Sequence, residues 1–130
     1  MIVRDLMNQQ PATIRPGATL GEALAAMAER KVHHLVVTDG EHEAVAGILS
    51  DRDLALYYDP AGMTQERWSS ATVGQLMSRD PLAIGSGAPL REAARLLLRE
   101  GVSALLVVDS GQLVGILSDR DFVRHFAVGT

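Results

Sequence analysis

Cysteine is absent from the 130-residue chain, which removes disulfides, thiolate nucleophiles and cysteine-ligated zinc together. No run of about 18 apolar residues occurs, and the opening MIVRDLMNQQ lacks the apolar centre of a signal peptide. Neither membrane insertion nor export is therefore expected, and a cytoplasmic location is. Basic residues are also few: 12 Lys and Arg stand against 16 Asp and Glu, for a formal net charge of -4, and they form no stripe. A protein that neutralises many phosphates of DNA or RNA needs such a stripe, so nucleic acid is not expected as a partner. A single nucleotide is a different matter, because two or three local donors hold one. The remaining composition, 47% hydrophobic and 22% charged, suits one soluble domain or two half-sized units sharing a core.

What the chain does have is repetition. GILSDRD stands at residues 47–53 and again at 115–121. The match extends in both directions: VRDLMNQQPATIRPGATLGEAL (3–24) lies over VGQLMSRDPLAIGSGAPLREAA (73–94), and HLVVTDGEHEAVAGILSDRD over ALLVVDSGQLVGILSDRD. Leu6/Leu76, Met7/Met77, Pro11/Pro81, Ile14/Ile84, Gly17/Gly87 and Glu22/Glu92 coincide at an offset of 70, which falls to 68 after a turn shortened by two residues. Repeats of this kind mark one structural unit written twice.

Each copy reads as strand, helix, strand, strand, helix. Leu20, Ala23, Leu24 and Met27, and Leu90, Ala93, Leu97 and Leu98, give each first helix one apolar face. Thr19 and Glu22 form a capping-box signature, whereas Pro89 replaces the capping threonine in the second copy and Gly101 supplies a stop. The apolar runs His34 to Thr38 and Ala104 to Val108 predict strands. The turn pairs Asp39-Gly40 and Ser110-Gly111 lead to partner strands, Ala44 to Leu49 and Gln112 to Leu117. DRD then opens a helix, Asp51 to Tyr58 or Asp119 to Val128. The polar stretch 59–72 reads as a linker. The expected fold is α/β (α+β): two βαββα repeats, 1–68 with the linker and 69–130, paired about a pseudo-two-fold axis because neither half buries enough surface alone. Such pairing creates two related clefts.

At a strand-to-helix junction the repeated stretch has a definite chemistry. Gly47 and Gly115 admit a ligand or another backbone close to the strand. Ser50 and Ser118 sit beside free N–H groups at a helix start, an anion site in outline, to which Arg52 and Arg120 add charge-assisted bonds if they turn inward. Asp53 and Asp121, three residues on, stand where a carboxylate receives both hydroxyls of a ribose. Ser-x-x-Asp is equally a good helix cap, with no ligand at all. Recurrence of the Gly, the Arg and both Asp residues exceeds what a cap requires, although duplication itself preserves identity.

The whole pattern, with VRDLM…PATI and VGQLM…PLAI opening the copies, HHLVVTD and SALLVVD in the middle and GILSDRD closing both, resembles a tandem pair of cystathionine-β-synthase (CBS) domains, the Bateman module. The resemblance runs from about Ile2 to Phe126 and is expected to leave no room for an attached catalytic domain. It implies a non-catalytic regulatory module that binds an adenosine nucleotide of the AMP, ADP or ATP type, with AMP foremost. Ribose would be held by Asp53 and Asp121, and phosphate by Ser50 and Ser118. The adenine would lie against Thr13-Ile14 and Ala83-Ile84, where backbone groups read the base edge and the isoleucines cover its face. Some family members carry a His-Arg pair before the second strand that reaches phosphate; here His33-His34 stands in the first copy and Ser103-Ala104 in the second, so unequal clefts are expected. Only one of the two histidines is expected to meet the ligand, since strand neighbours point to opposite faces. The resemblance further implies homodimers forming a flat disc, with apolar surface from the second helix of each copy, and an unidentified regulated protein as partner.

Other readings are weaker on spacing. His33, His34, Asp39, Glu41, His42 and Glu43 lie in or beside a solvated turn with the histidines diverging, which does not predict a metal site. No Gly-x-Ser-x-Gly elbow identifies a nucleophile. Met7 and Met77 read as core filling, and Trp68 with Tyr57 and Tyr58 as packing of the linker or a dimer contact. The contrasting function is a structural dimerisation module with empty clefts that binds a protein partner.

Overall fold

A computed structural model describes residues 1–39, 44–57 and 69–128. Gly40, Glu41, His42, Glu43, Tyr58 and Trp68, along with most of the linker, lie outside the described residues. The chain divides into two compact units, Ala12–Asp80 and Met1–Pro11 with Pro81–Thr130. Each unit thus contains one repeat's sheet and helices together with the lead segment that precedes the other repeat in sequence.

In the first-repeat unit the sheet order is β1-β2-β3-β4. Strand β1 (Thr13–Ile14) runs parallel to β2 (His34–Thr38), with Thr13 opposite Val36. Strand β3 (Val45–Ser50) is antiparallel to β2, placing His34 opposite Ser50, and β4 (Ser78–Arg79) covers the far edge of β3 at Gly47 and Ile48. Helix α1 (Leu20–Arg30) begins with the expected reciprocal cap: the Glu22 N–H donates to Thr19 Oγ1 at 3.1 Å and the Thr19 N–H to Glu22 Oε1 at 3.4 Å. It ends at Lys31 in the left-handed region, φ 56°. Leu20, Ala23 and Met27 of α1 enter a core with Leu35, Val37, Leu49, Leu54 of α2 (Asp51–Tyr57) and Val73 of α3 (Val73–Leu76).

The second-repeat unit carries β5 (Ala83–Ile84) parallel to β6 (Ala104–Asp109), which pairs antiparallel with β7 (Gln112–Ser118). Ser110 and Gly111 both adopt positive φ, 50° and 76°, as a two-residue hairpin of this hand requires. Helix α4 (Leu90–Glu100) starts at Pro89 with no side-chain cap and stops at Gly101, φ 66°; helix α5 (Asp119–Val128) follows β7 directly. Val3 of the lead segment is fully buried in this core with Leu90, Ala93, Leu97, Leu105, Val107 and Leu117.

Several boundaries and one face differ from expectation. Strand β3 spans Val45–Ser50 rather than Ala44 to Leu49. Ala44 instead closes the turn, accepting the Asp39 N–H at 3.0 Å and donating to Asp39 Oδ1 at 3.3 Å. Strands β6 and β7 each run one residue further, to Asp109 and Ser118. Helix α2 is described from Asp51 to Tyr57, and its expected last residue, Tyr58, lies outside the described residues. Leu24 and Leu98 do not belong to the buried stripes: they are 50% and 84% exposed, one step of about 100° round the helix from buried Ala23 and Leu97.

Candidate functional site

The serine of the repeated stretch ends a strand and the helix starts on the next residue, so backbone donors of the first turn lack helical partners. In the first repeat Ser50, 8% exposed, and Asp53 satisfy each other. The Ser50 N–H donates to Asp53 Oδ2 at 2.8 Å, and the Asp53 N–H donates to Ser50 Oγ at 3.0 Å. In the second repeat the Ser118 N–H likewise donates to Asp121 Oδ2 at 2.8 Å, but the Ser118 hydroxyl donates to the same oxygen at 3.1 Å. Both aspartates therefore cap their helices. Among the described residues only Oδ2 of Asp53 is engaged, and the fixed rotamer leaves Oδ1 as a placed acceptor.

Strand register assembles the neighbours. His33 precedes β2, its carbonyl accepts the Asp51 N–H at 2.9 Å, and its Nδ1 lies 2.8 Å from Asp51 Oδ2. His34 stands opposite Ser50. The equivalent backbone bond in the second repeat, Asp119 N–H to the Ser103 carbonyl at 2.9 Å, is kept, but no imidazole accompanies it. Ala104, opposite Ser118, is buried. Strands β1 and β5 are sheet edges, so part of their backbone faces away from the neighbouring strand. Thr13 and Ala83 are exposed there, while Ile14 and Ile84 are half-buried and pack against their own cores. Arg52 and Arg120 are exposed on the first turns of α2 and α5.

The two motif glycines have a backbone neighbour in each unit. A Cβ on Gly47 would stand 2.5 Å from the Ser78 carbonyl oxygen and 2.9 Å from Met77 Sδ; on Gly115 it would stand 2.8 Å from both the Asn8 carbonyl oxygen and Met7 Sδ. The close approach is thus made by the lead segments, with Met7 and Met77 packed on the cores as filling.

Three features have no counterpart in the sequence reading. Asp51 belongs to the repeated motif, yet its histidine partner exists in one copy only. Arg124 Nη1 lies 4.0 Å from Asp121 Oδ1, an i,i+3 pair of an exposed arginine with a half-buried carboxylate. Ser86, 1% exposed, receives a hydrogen bond from Arg4 Nη2 at 2.8 Å and bonds Asp109 twice, N–H to Oδ1 at 3.0 Å and Oγ to Oδ2 at 2.5 Å. These bonds, and the Arg4 charge, hold the Asp109 carboxyl below its ordinary range against a smaller opposing effect of desolvation. The first repeat has Pro16, Asp39 and Gly74 at the matching positions.

Among the described residues no three of His, Cys, Asp or Glu stand together as metal ligands, and no helix is long and apolar enough to cross a membrane.

Comparison with known proteins agrees with this architecture. A CBS domain-containing protein of Dictyostelium discoideum is 30% identical over 130 residues, which are 95% of this chain and 89% of that one. The crystal structure of a CBS-domain containing protein from Agrobacterium tumefaciens superposes with a TM-score of 0.84 at 24% identity, covering 97% of this chain and 99% of that one. A CBS domain pair crystallised with 5′-methylthioadenosine and S-adenosyl-L-methionine gives 0.82 at 24% identity, covering 100% and 98%. The CBS domain description matches residues 3–59 and 73–128, both repeats of the motif described above. The chain belongs to the CBS domain family.

Proposed function

We propose that this protein is a non-catalytic, cytoplasmic regulatory module that binds adenosine nucleotides, AMP foremost, at the strand–helix junction of each repeat. The observation that carries the reading is the Ser–Asp pair at both junctions. In each, a buried serine and a half-buried aspartate are locked together at the start of a helix; among the described residues Asp53 keeps Oδ1 unengaged, whereas Asp121 Oδ1 lies 4.0 Å from Arg124 Nη1. Asp53 would take the ribose hydroxyls through Oδ1, and Asp121 would do so with an Oδ1 that it shares with Arg124. Ser50 and Ser118, with the first-turn amides and Arg52 or Arg120, would take phosphate. Thr13 and Ala83 on the edge strands would meet the adenine edge, with Ile14 and Ile84 beneath it. The adenosine ligands held by one structural relative favour the same ligand class here. Binding would regulate a partner protein by differing in affinity between two states of the module.

A second reading, a dimerisation module, has its own support: Val123 and Phe126 on α5 are 69% and 58% exposed, apolar surface of the sort that a second copy covers. The two roles are compatible, and a homodimer is expected. A thermal-shift series with AMP, ADP, ATP, NAD and S-adenosylmethionine tests the first. A ligand at 100 times its Kd adds about 2.7 kcal/mol of stability, whereas a purely structural module responds to none. Sedimentation of the native chain and a Phe126→Glu variant tests the second.

A further inference from the structure

The outward faces of the two first helices, α1 and α4, differ in kind, although both helices cover their own cores in the same way. Residues four apart form a row along a helix surface. On α4 that row is Arg91, Arg95 and Arg99, all exposed, with the exposed Leu98 beside it. Arg99 Nε lies 3.3 Å from Glu100 Oε1, whereas Arg91 and Arg95 meet no carboxylate among the described residues. At the matching positions α1 has Gly21, Ala25 and Glu29, with Ala28 in place of Leu98, and these four are exposed as well. Glu22 and Glu92 border the two rows alike. Successive residues turn by about 100°, which carries Arg30 and Lys31 away from the α1 row. The helices that follow the repeated motif continue the contrast: exposed Val123 on α5 stands where α2 has exposed Ala55. The second repeat thus presents a raised, basic surface, and the first a recessed one that carries a carboxylate.

We infer that the outward face of α1 receives α4 of a second copy of this chain, so that unlike repeats meet across the dimer. This deepens the dimerisation reading above and rests on it. Ridges on one helix pack into grooves on another, and a row that begins with Gly and Ala is a groove open to Leu98 and to the aliphatic stems of the arginines. The guanidinium groups of that ridge then find Glu29 as their counter-charge. Pairing like with like fails on both sides. Two α4 faces set three arginines against three, a costly juxtaposition of equal charges, and two α1 faces bring Glu29 to Glu29 with little apolar area to bury. A two-fold axis makes the unlike contact twice, with the roles of the copies exchanged. Phe122 of α5 packs on the core that α4 covers, and Leu54 of α2 lies in the core that α1 covers, so Val123 and Ala55 extend the two surfaces in the same sense.

The absence of cysteine makes the arrangement readable by cross-linking. Full-length Ala25→Cys and Leu98→Cys chains are prepared separately, then treated with a short bismaleimide alone and after mixing. A covalent dimer is expected from the mixture and from neither chain by itself. Charge gives a second readout that does not depend on the exact helix register. Ala25→Arg and Arg95→Glu should each weaken self-association about tenfold in sedimentation, and the two variants mixed in equal amounts should associate as the native chain does. Melting curves close to the native one establish that these exposed substitutions leave the fold intact. A dimer in which Leu98→Cys links to itself, or whose dissociation neither charge variant alters, would overturn the unlike pairing and leave dimerisation standing. A native chain that sediments as a monomer at every soluble concentration would end the dimerisation reading, and this inference with it.

Discussion

The carbonyl oxygen of Asn8 stands 2.8 Å from where a Cβ on Gly115 would be, although the two residues are far apart in sequence, and the backbone of Asn8 pairs with Ile116 in both directions at 2.9 and 3.0 Å. Ser78 does the same beside Gly47, at 2.5 Å. The glycine of the repeated motif is therefore a docking point for a lead segment before it is anything else. Gly115→Ala and Gly47→Ala should each lower stability by about 1–3 kcal/mol, the usual cost of forcing an atom into a packed site. Urea denaturation of each variant measures it. Unchanged midpoints would mean that the segments give way without cost.

The aspartates should show two separable roles. Asp53→Ala and Asp121→Ala each remove the acceptor of a capping N–H and should cost about 1 kcal/mol without any ligand. Asp53→Asn and Asp121→Asn keep an acceptor for that N–H and should melt close to the native protein. If the alanine variants melt unchanged as well, the bonds to Ser50 and Ser118 do not stabilise the helices.

Thr19 and Pro89 occupy matching positions but only Thr19 caps its helix. Thr19→Ala is expected to lose about 1 kcal/mol, read from its chemical denaturation curve, while Pro89→Ala removes no side-chain hydrogen bond and should lose less. Equal losses would show that the Thr19 hydroxyl contributes nothing.

The Arg4–Ser86–Asp109 cluster gives the second-repeat unit a pH response of its own. Asp109 is held below its ordinary range, first by the Ser86 hydroxyl, then by the Ser86 N–H and the Arg4 charge. A carboxylate whose folded pKa lies below the unfolded value, near ~3.9, stabilises the fold fully above that value. The contribution disappears as pH falls through the lowered folded value. The native protein should therefore lose stability more steeply below about pH 4 than Asp109→Asn does, and above that pH the native chain should be the more stable of the two. Circular dichroism melts from pH 2 to 7 provide the comparison. Parallel profiles would exclude Asp109 as a contributor.

Much of this was legible because helices, tight turns and the repeat are local in sequence. Thr19 and Glu22, Ser110 and Gly111, and Ser50 and Asp53 lie within three residues of their partners, so spacing alone identifies them. The exchange of lead segments was not, since nothing local in Met7-Asn8 or Met77-Ser78 indicates which repeat's edge they will cover. Arg4 and Ser86 are similarly remote, and their bond replaces residues in the other unit, Gly74 and Pro16, that carry no matching polar groups. The apolar stripe was read too widely at Leu24 and Leu98, because hydrophobicity marks a face only to within a step of the helix. The pairing of His33 with Asp51 needed the register of β2 and β3, which no motif prints.

The central claim is that the carboxylates at the two junctions hold an adenosine nucleotide. Titration calorimetry of AMP into the native chain and into the Asp53→Asn, Asp121→Asn double variant tests it most directly, because that variant retains an acceptor at both caps. The account predicts saturable binding to the native protein and a loss of at least about tenfold in affinity in the double variant, as expected when a hydrogen bond to a charged group is removed. Equal affinity in the two proteins, or no heat of binding to the native chain, would contradict it.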